Sequence, residues 1–261
     1  MSEHIRLERP ESHPGILVIR FDRPEKKNAI TRDMYDAMAK ALSDARADEQ
    51  VAAAVFLGQP GCFTAGNDLA DFLEVARDPT EAGHVAGFIR ELARFDKPLL
   101  SGIDGLAIGI GVTMQFHCDL TFATPRSTFR TPFTDLAVVP EGGSSLLAPR
   151  VMGMQRAFAL LVAGAPFTAE EARDAGLIWK VVPEEELQEA ALAAASDLAS
   201  KPRKALLQSR RLLRGEPDEI LDRINHETHL FVTQLRSPEA VEIYERFLAS
   251  RAAKDGGRKP E

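Results

Sequence analysis

The sequence lacks the features that mark several large classes of protein. Only two of its 261 residues are cysteines, Cys62 and Cys118, so it predicts neither a disulfide framework nor a cysteine metal site. Its 32 basic and 39 acidic side chains give a net charge of −7, which argues against nucleic-acid binding. No apolar run reaches the roughly 18 residues of a membrane span, and residues 1–10 are too polar for a signal peptide. We therefore expect a cytoplasmic protein that binds neither nucleic acid nor a membrane.

Several catalytic and cofactor motifs are missing as well. There is no G-x-S-x-G serine elbow and no phosphate-binding loop. The glycines between Gly105 and Gly111 do not have the G-x-G-x-x-G spacing of a dinucleotide site. His226 and His229 lie in H-E-T-H, whereas zinc proteases space their histidines four residues apart. We expect no metal and no redox cofactor.

The composition is that of a globular protein, with 44% hydrophobic and 27% charged residues. Short apolar runs alternate with helical patterns up to about residue 200, which predicts a layered α/β core over residues 1–200. The runs of strand length are Gly15–Phe21, Val51–Leu57 and Leu99–Ile103. Thr31 is the predicted N-cap of a helix whose apolar residues share one face. These residues are Met34, Tyr35, Met38 and Leu42.

Residues 201–261 have an almost purely helical pattern. Ser237 and Pro238 form an N-cap and first-turn pair that predicts the start of a last helix. Its large apolar residues, which need a covering surface, are Ile243, Tyr244, Phe247 and Leu248. We interpret this region as an oligomerisation region that builds a homotrimer or a dimer of trimers. The polar end, Gly256–Glu261, is predicted to be disordered.

Two glycine-rich segments stand out from ordinary connections. They are Gly61–Leu69 (G-C-F-T-A-G-N-D-L) and Ser101–Met114 (S-G-I-D-G-L-A-I-G-I-G-V-T-M). Small residues let a ligand approach the main chain closely, and free N–H groups at such turns stabilise a developing negative oxygen. The alternative is that these glycines only permit tight turns and close packing.

Five segments, in order, resemble the motifs of the crotonase superfamily of enoyl-CoA hydratases and isomerases. They are Arg23–Ile30, Phe63–Leu69, Gly105–Gly111, Cys118–Leu120 and Ala175–Pro183. The resemblance implies an α/β fold with a spiral core of ββα units and a C-terminal helical region that forms trimers. It also implies an acyl-CoA thioester as substrate, so coenzyme A enters as part of the substrate.

The resemblance also carries specific residues. The main-chain N–H groups of Asn67 and Ile110 match the family's pair of donors to the thioester oxygen. Ile110 replaces the usual glycine, so its side chain narrows the space beside the thioester. Main-chain contacts to the adenine match the residues Ala65, Asp68 and Leu69.

Two basic residues match positions that contact the phosphates of coenzyme A in the family. They are Arg23 and Lys26. Both are equally consistent with solvated surface charges, and we include them in the substrate-binding set.

The acidic residues distinguish the possible reactions. Hydratases of the family use two glutamates, and the matching positions here hold Thr113 and Phe133, which we assign to the substrate-binding site. Glu141, in V-V-P-E-G-G-S-S, matches the single glutamate that moves the proton in Δ3,Δ2-enoyl-CoA isomerases. Asp135 is a reserve candidate for the same role.

The predicted function is therefore an enoyl-CoA isomerase of fatty acid metabolism, with Glu141 as proton shuttle. Hydration or another crotonase-type reaction on an acyl-CoA remains an alternative. A non-catalytic acyl-CoA binding protein that keeps the fold and the N–H pair is the alternative from another class.

Overall fold

A computed structural model describes residues 2–256 of the chain. Some side chains in this range are outside the description: those of Leu69, Phe72, Leu73, Pro79, Thr80, Phe247, Leu248, Ser250 and residues 251–256. Within residues 2–256, no helix combines the length and the apolar character needed to cross a bilayer.

Strands and helices alternate along the described chain. The strands are β1 (Ile5–Glu8), β2 (Ile16–Phe21), β3 (Ala53–Leu57), β4 (Cys62–Thr64), β5 (Leu99–Ile103), β6 (Leu106–Ile108), β7 (Leu120–Ala123), β8 (Thr128–Arg130), β9 (Phe167–Thr168) and β10 (Lys180–Val181). The helices are α1 (Arg32–Ala47), α2 (Leu69–Arg77), α3 (Gly83–Arg94), α4 (Ile110–Thr113), α5 (Ser144–Leu161), α6 (Ala169–Asp174), α7 (Leu187–Ser200), α8 (Arg203–Arg214), α9 (Asp218–Leu235) and α10 (Pro238–Gly256).

The strands form two sheets. The larger has the order β1-β2-β3-β5-β7-β10 and is parallel except for the β1–β2 hairpin. The smaller has the order β4-β6-β8-β9, with the first three strands parallel. Since β3, β5 and β7 each lead into a strand of the smaller sheet, the chain winds from one sheet to the other. This winding confirms the predicted spiral of ββα units.

The apolar runs predicted as strands are strands because they are covered on both faces. Every residue of β3 and of β5 is buried, which is the pattern of parallel strands between two layers. Helix α7 covers one face through Leu187, Leu192 and neighbouring alanines. On the other face lies the main core, which includes the apolar residues of α1 and α3.

Helix α1 begins as its sequence predicts. The Oγ1 atom of Thr31 accepts a hydrogen bond from the N–H of Met34 at 3.4 Å. The predicted apolar face, which includes Tyr35, Met38 and Leu42, is buried. The cap and the one-sided apolar pattern therefore set both the start of α1 and its orientation.

The C-terminal helices pack partly on the core of the same protomer. Helix α9 contacts α3 and α5, and α10 contacts α2. The Oγ atom of Ser237 accepts from the N–H of Ala240 at 3.2 Å, and the buried Tyr244 donates its hydroxyl to the carbonyl of Leu136 at 2.8 Å. Tyr244 is therefore covered within one protomer, whereas the side chains of Phe247 and Leu248 lie outside the described residues.

The division at residue 200 and the trimer stay predictions. The polar end is predicted to be disordered from Gly256 onward. Gly256 is the last residue of α10, and residues 257–261 lie outside the described range.

Helices α5 and α8 each expose more than one large apolar side chain. Val151, Met154 and Phe158, on α5, are 45–69% exposed, and the helix is kinked at Gly153 between the first two. On α8, Leu212 and Leu213 are 87% and 90% exposed. Exposed apolar groups of this size are typical of protein interfaces, which supports self-association.

We predict that the protein is a trimer or a hexamer at micromolar concentration, measured by sedimentation. The double variant Leu212→Glu/Leu213→Glu should shift the population toward monomer, because it places charges on an apolar interface. Gln208→Glu, on an exposed position of the same helix, is the matched control. A wild-type protein that sediments as a stable monomer would contradict the prediction.

Candidate active site

Two turns meet because the strands that precede them are neighbours. Strand β4 pairs with β6 in parallel, through Cys62 with Leu106 and Thr64 with Ala107. The segments that follow both strands therefore leave the same edge of the smaller sheet. At Gly66, where φ is +85°, an added Cβ would lie 2.9 Å from the carbonyl oxygen of Ile108. Only glycine permits this approach between the two turns.

Each turn presents a main-chain N–H group that has no acceptor among the described residues. The N–H of Gly66 donates to Thr64 Oγ1 at 3.0 Å and the N–H of Gly109 donates to the carbonyl of Arg130 at 2.9 Å. The next residues are Asn67 and Ile110, and within residues 2–256 their N–H groups have no hydrogen-bond acceptor. The structure thus places both predicted donors at the ends of paired strands.

Two cavities meet at these turns, since Asn67 and Phe231 line both of them. The active-site cavity, as we call the first, contains Glu141 and Tyr35 and is otherwise mainly apolar. Its apolar lining is Ile30, Val75, Ala82, Val85, Ala86, Ile89, Phe231, Val232 and Leu235. The second cavity, which we call the channel, is lined by residues that include Ala65, Gly109 and Phe133.

Glu141 is the buried acid of the active-site cavity. Its Oε1 atom accepts a hydrogen bond from the hydroxyl of Thr113 at 2.5 Å. Its Oε2 atom is buried and has no hydrogen-bond partner among the described residues. One oxygen is therefore held in place while the other is free to exchange a proton with a bound molecule.

Burial raises the pKa of Glu141 to about 8, because the charged form loses its hydration. The hydrogen bond from Thr113 lowers the pKa, and the nearby negative charge of Glu227 raises it. The desolvation effect is the largest of the three. Glu141 therefore exchanges its proton near neutral pH, as a general base or acid requires.

The chain around Glu141 is held by groups from distant segments. Gly142 and Gly143 both have positive φ, which turns the chain sharply into α5. The buried His117 has a pKa lowered to about 4 by burial, so it is neutral and donates Nε2–H to the carbonyl of Gly142 at 2.7 Å. Glu227, on α9, accepts from the N–H groups of Gly143 and Ser145 at 2.6 and 2.9 Å.

Comparison with known proteins identifies the family. Residues 11–251 match the Enoyl-CoA hydratase/isomerase family. This chain belongs to the enoyl-CoA hydratase/isomerase family. The solved structure of OdaA from Pseudomonas aeruginosa is 40% identical, has a TM-score of 0.87, and is aligned over 94% of this chain and 99% of that chain. An enoyl-CoA hydratase/isomerase from Pseudoalteromonas atlantica T6c is 33% identical with a TM-score of 0.87, over 99% of each chain.

A curated relative extends beyond this chain. Enoyl-CoA delta isomerase 2 from Rattus norvegicus is 35% identical over 221 residues, which are 83% of this chain and 56% of that protein. The chain thus spans about half the length of this relative.

The structure shows how this family member differs at the two hydratase positions. Thr113 is fully buried and bonded to Glu141, so a hydroxyl stands where the resemblance places a hydratase glutamate. Phe133 is buried against the channel. Asp135 also lines the channel, where it forms an ion pair with Arg130 at 2.8 Å. Of the two acids predicted as candidates for the proton shuttle, Glu141 lies in the active-site cavity and Asp135 does not.

The predicted contacts to coenzyme A lie around the start of α2. Asp68 caps this helix by accepting from the N–H of Ala70, and its carboxylate pairs with Arg23 at 2.7 Å. Leu69 is the first residue of α2. Lys26 is exposed in a 3-10 turn that leads to Lys27, whose carbonyl accepts from the N–H of Ala65 at 2.9 Å.

These contacts distinguish the two basic side chains that are predicted to contact coenzyme A. The Arg23 side chain is largely buried and paired with Asp68, whereas Lys26 is exposed, next in the chain to the Lys27 that binds Ala65.

Sequence reasoning missed the part that α9 plays in the site. Thr228, Phe231, Val232 and Leu235 line the active-site cavity, and Glu227 holds the turn after Glu141. The signal was the H-E-T-H segment, in which His226 and His229 are exposed while Glu227 is buried. Among the described residues no group of three metal-ligating side chains lies together. The informative residue of this segment is its glutamate.

The raised pKa of Glu141 makes a prediction for stability. Between pH 4.5, its ordinary pKa, and about 8, the folded protein keeps a proton that the unfolded chain has released. The free energy of unfolding therefore falls by about 1.4 kcal/mol for each pH unit in this window because of Glu141. Glu141→Gln removes this contribution, so the variant should gain stability relative to wild type as pH rises.

The measurement is urea unfolding of both proteins at several pH values between 5 and 9. Glu170→Gln, at an exposed position, is the control and should follow the wild-type curve. A constant difference between Glu141→Gln and wild type across this range would show that Glu141 does not titrate with a raised pKa.

Proposed function

We propose that this protein is an enoyl-CoA isomerase that moves a double bond from the 3,4 to the 2,3 position of an acyl-CoA thioester. The observation that carries the proposal is the environment of Glu141: one carboxylate oxygen is held by Thr113, and the other has no partner in the described structure. The similarity to enoyl-CoA delta isomerase 2 supports the same choice.

A single carboxylate is sufficient for this reaction. Glu141 takes a proton from carbon 2, and the electron pair of the C–H bond delocalises over the thioester and the 3,4 double bond. The resulting dienolate is neutralised when Glu141 returns the proton to carbon 4, which leaves the double bond between carbons 2 and 3. No water adds, and the substrate is only rearranged.

Hydration requires more than the residues at this site supply. Activation of water and protonation of carbon 2 take two acids in the hydratases, and the matching positions here are Thr113 and Phe133. A threonine hydroxyl does not exchange a proton near neutral pH and a phenylalanine has none to exchange. The chemistry of these side chains therefore favours isomerisation.

Besides a base, the reaction requires groups that stabilise the negative charge of the dienolate. The N–H groups of Asn67 and Ile110, which have no acceptor among the described residues, meet this requirement. We infer that both donate to the thioester oxygen, which becomes negative in the dienolate. Preorganised donors of this kind stabilise the transition state by roughly 3 kcal/mol each. Neither donor has to break a bond within the described protein to bind the oxygen.

The lining of the active-site cavity indicates an apolar acyl chain. Besides Glu141, the acid that lines the cavity is Asp71, which accepts from the N–H of Arg32 at 3.0 Å. We propose that the acyl chain occupies this cavity, that the thioester lies between the two turns, and that the rest of coenzyme A follows the channel toward Lys26. Coenzyme A is part of the substrate, and the proposed reaction uses no metal and no redox cofactor.

We predict that Glu141→Gln lowers the turnover of a 3-enoyl-CoA by roughly 100-fold to 10,000-fold. Glutamine keeps the shape and the acceptor for Thr113 but does not take up a proton. The loss should appear in kcat and not in KM, because the base acts in the transition state. The assay follows absorbance of the conjugated 2-enoyl thioester, with analysis of the product.

Three outcomes of that assay would contradict the proposal. Full activity of Glu141→Gln with an inactive Asp135→Asn would move the role to Asp135. Rapid hydration of a 2-enoyl-CoA by the wild type would establish the hydratase alternative. Tight binding of acyl-CoA without any turnover would favour the binding-protein alternative.

We predict that Ile110→Pro lowers turnover on the order of 100-fold, because proline has no N–H to donate. Ile110 is the first residue of α4, a position where helices tolerate proline. Ile110→Ala is the control, since it removes the side chain but keeps the N–H group. An Ile110→Pro protein that is folded and as active as Ile110→Ala would contradict the assignment.

A further inference from the structure

The buried tyrosine of α1 is bonded to the active site. Tyr35 lies on the apolar face of the helix, 1% exposed, with its ring 5.6 Å from that of Phe88. Its hydroxyl donates to the side-chain Oδ1 of Asn67, and both residues line the active-site cavity. A buried tyrosine needs a partner for its hydroxyl, and here the partner is a residue of the substrate-binding turn.

Tyr35 remains a donor over the pH range in which Glu141 titrates. Burial raises the pKa of Tyr35 well above 10, and the charge of Glu141 raises it further. The phenol is therefore protonated and does not compete with Glu141 as a base. Its effect on the nearby site comes from the hydrogen bond that it donates.

This bond determines how the Asn67 carboxamide is oriented. Because Oδ1 accepts from Tyr35, the NH2 group is the end of the carboxamide left to donate. Within the described residues, Nδ2 of Asn67 has no acceptor. The side chain lies where the active-site cavity and the channel meet, beside the unpaired main-chain N–H of the same residue.

We propose that Tyr35 is a positioning residue that holds the Asn67 carboxamide so that its NH2 group donates to the thioester oxygen. The thioester then has three donors: this NH2 group and the main-chain N–H groups of residues 67 and 110. The inference rests on the proposed function for the identity of the substrate. It applies to any reaction in which this site binds an acyl-CoA thioester.

The test measures the hydrogen bonds to the thioester directly. A saturated acyl-CoA with 13C at the thioester carbonyl binds without a double bond to move, and its carbonyl stretch is recorded by infrared difference spectroscopy. Donors polarise the carbonyl and lower its frequency. In Tyr35→Phe the frequency should move part of the way back toward the value of the free thioester, and turnover of a 3-enoyl-CoA should fall about tenfold with little change in KM.

Asn67→Ala provides a second variant that leaves the core intact and keeps the main-chain N–H. It should shift the carbonyl frequency as Tyr35→Phe does, and the double variant should show no further shift, because Tyr35 acts through Asn67. Tyr244→Phe is the matched control: it is the other tyrosine of the chain, also buried, with its hydroxyl bonded to the carbonyl of Leu136. It should leave the frequency unchanged.

An unchanged carbonyl frequency in Tyr35→Phe would overturn the inference, and so would additive shifts in the double variant. If Tyr35→Phe does not fold, an unchanged frequency in Asn67→Ala decides against it in the same way. The proposed function fails separately: a wild type that does not convert 3-enoyl-CoA, but gives the expected infrared shifts, would refute isomerisation and keep the role of Tyr35.

Discussion

The burial of the Glu141 carboxyl is the constraint on which the rest of the site depends. A carboxylate removed from water is unstable unless it is protonated or hydrogen-bonded. Among the described residues this one has a single hydrogen bond, from Thr113. The protein compensates by fixing the surrounding chain. The neutral His117 donates to the carbonyl of Gly142, and Glu227 accepts from the N–H of Gly143, so both residues after the acid are held by hydrogen bonds. Burial of the carboxyl raises its pKa, because the charged form loses its hydration.

A second constraint is the close approach of two backbones at the ends of β4 and β6. Because the strands pair in parallel, the turns after them lie next to each other, and Gly66 makes contact with the carbonyl of Ile108 possible. In the part of the chain that the structure describes, the N–H groups of Asn67 and Ile110 have no acceptor. The paired strands thus bring two main-chain N–H groups together without any dedicated side chain.

These two constraints explain how one family holds several reactions. The two main-chain N–H groups come from the backbone, so their placement does not depend on which acid the cavity holds. In this chain Thr113 holds the acid Glu141, Phe133 lines the channel, and the acid itself lies in the turn before α5. Helix α9 closes the cavity with Phe231, Val232 and Leu235, so the C-terminal region forms part of the site besides its predicted part in assembly.

Local sequence patterns determined the elements of the fold. Apolar runs of five to seven residues became buried strands, Thr31 set the start of α1, and the order of five motifs predicted the spiral. Two of these motifs contain Asn67 and Ile110, whose turns follow the paired strands β4 and β6. Glu141 lies outside the five motifs and is predicted from a separate match to the isomerases. These features depend on residues that are close together in the sequence, so one sequence is enough to predict them.

Only the tertiary structure decided the chemistry of the individual groups. The pKa of Glu141 depends on Thr113 and Glu227, which are distant in sequence, and on the exclusion of water by several helices. Tyr35 fits the apolar pattern of α1 as well as any core residue does, and only the fold brings its hydroxyl to Asn67. Arg23 and Lys26 are alike as cations in the sequence, yet one is paired with Asp68 and the other is exposed. Desolvation and long-range contacts have no local sequence pattern, because they arise from segments that meet only when the chain is folded.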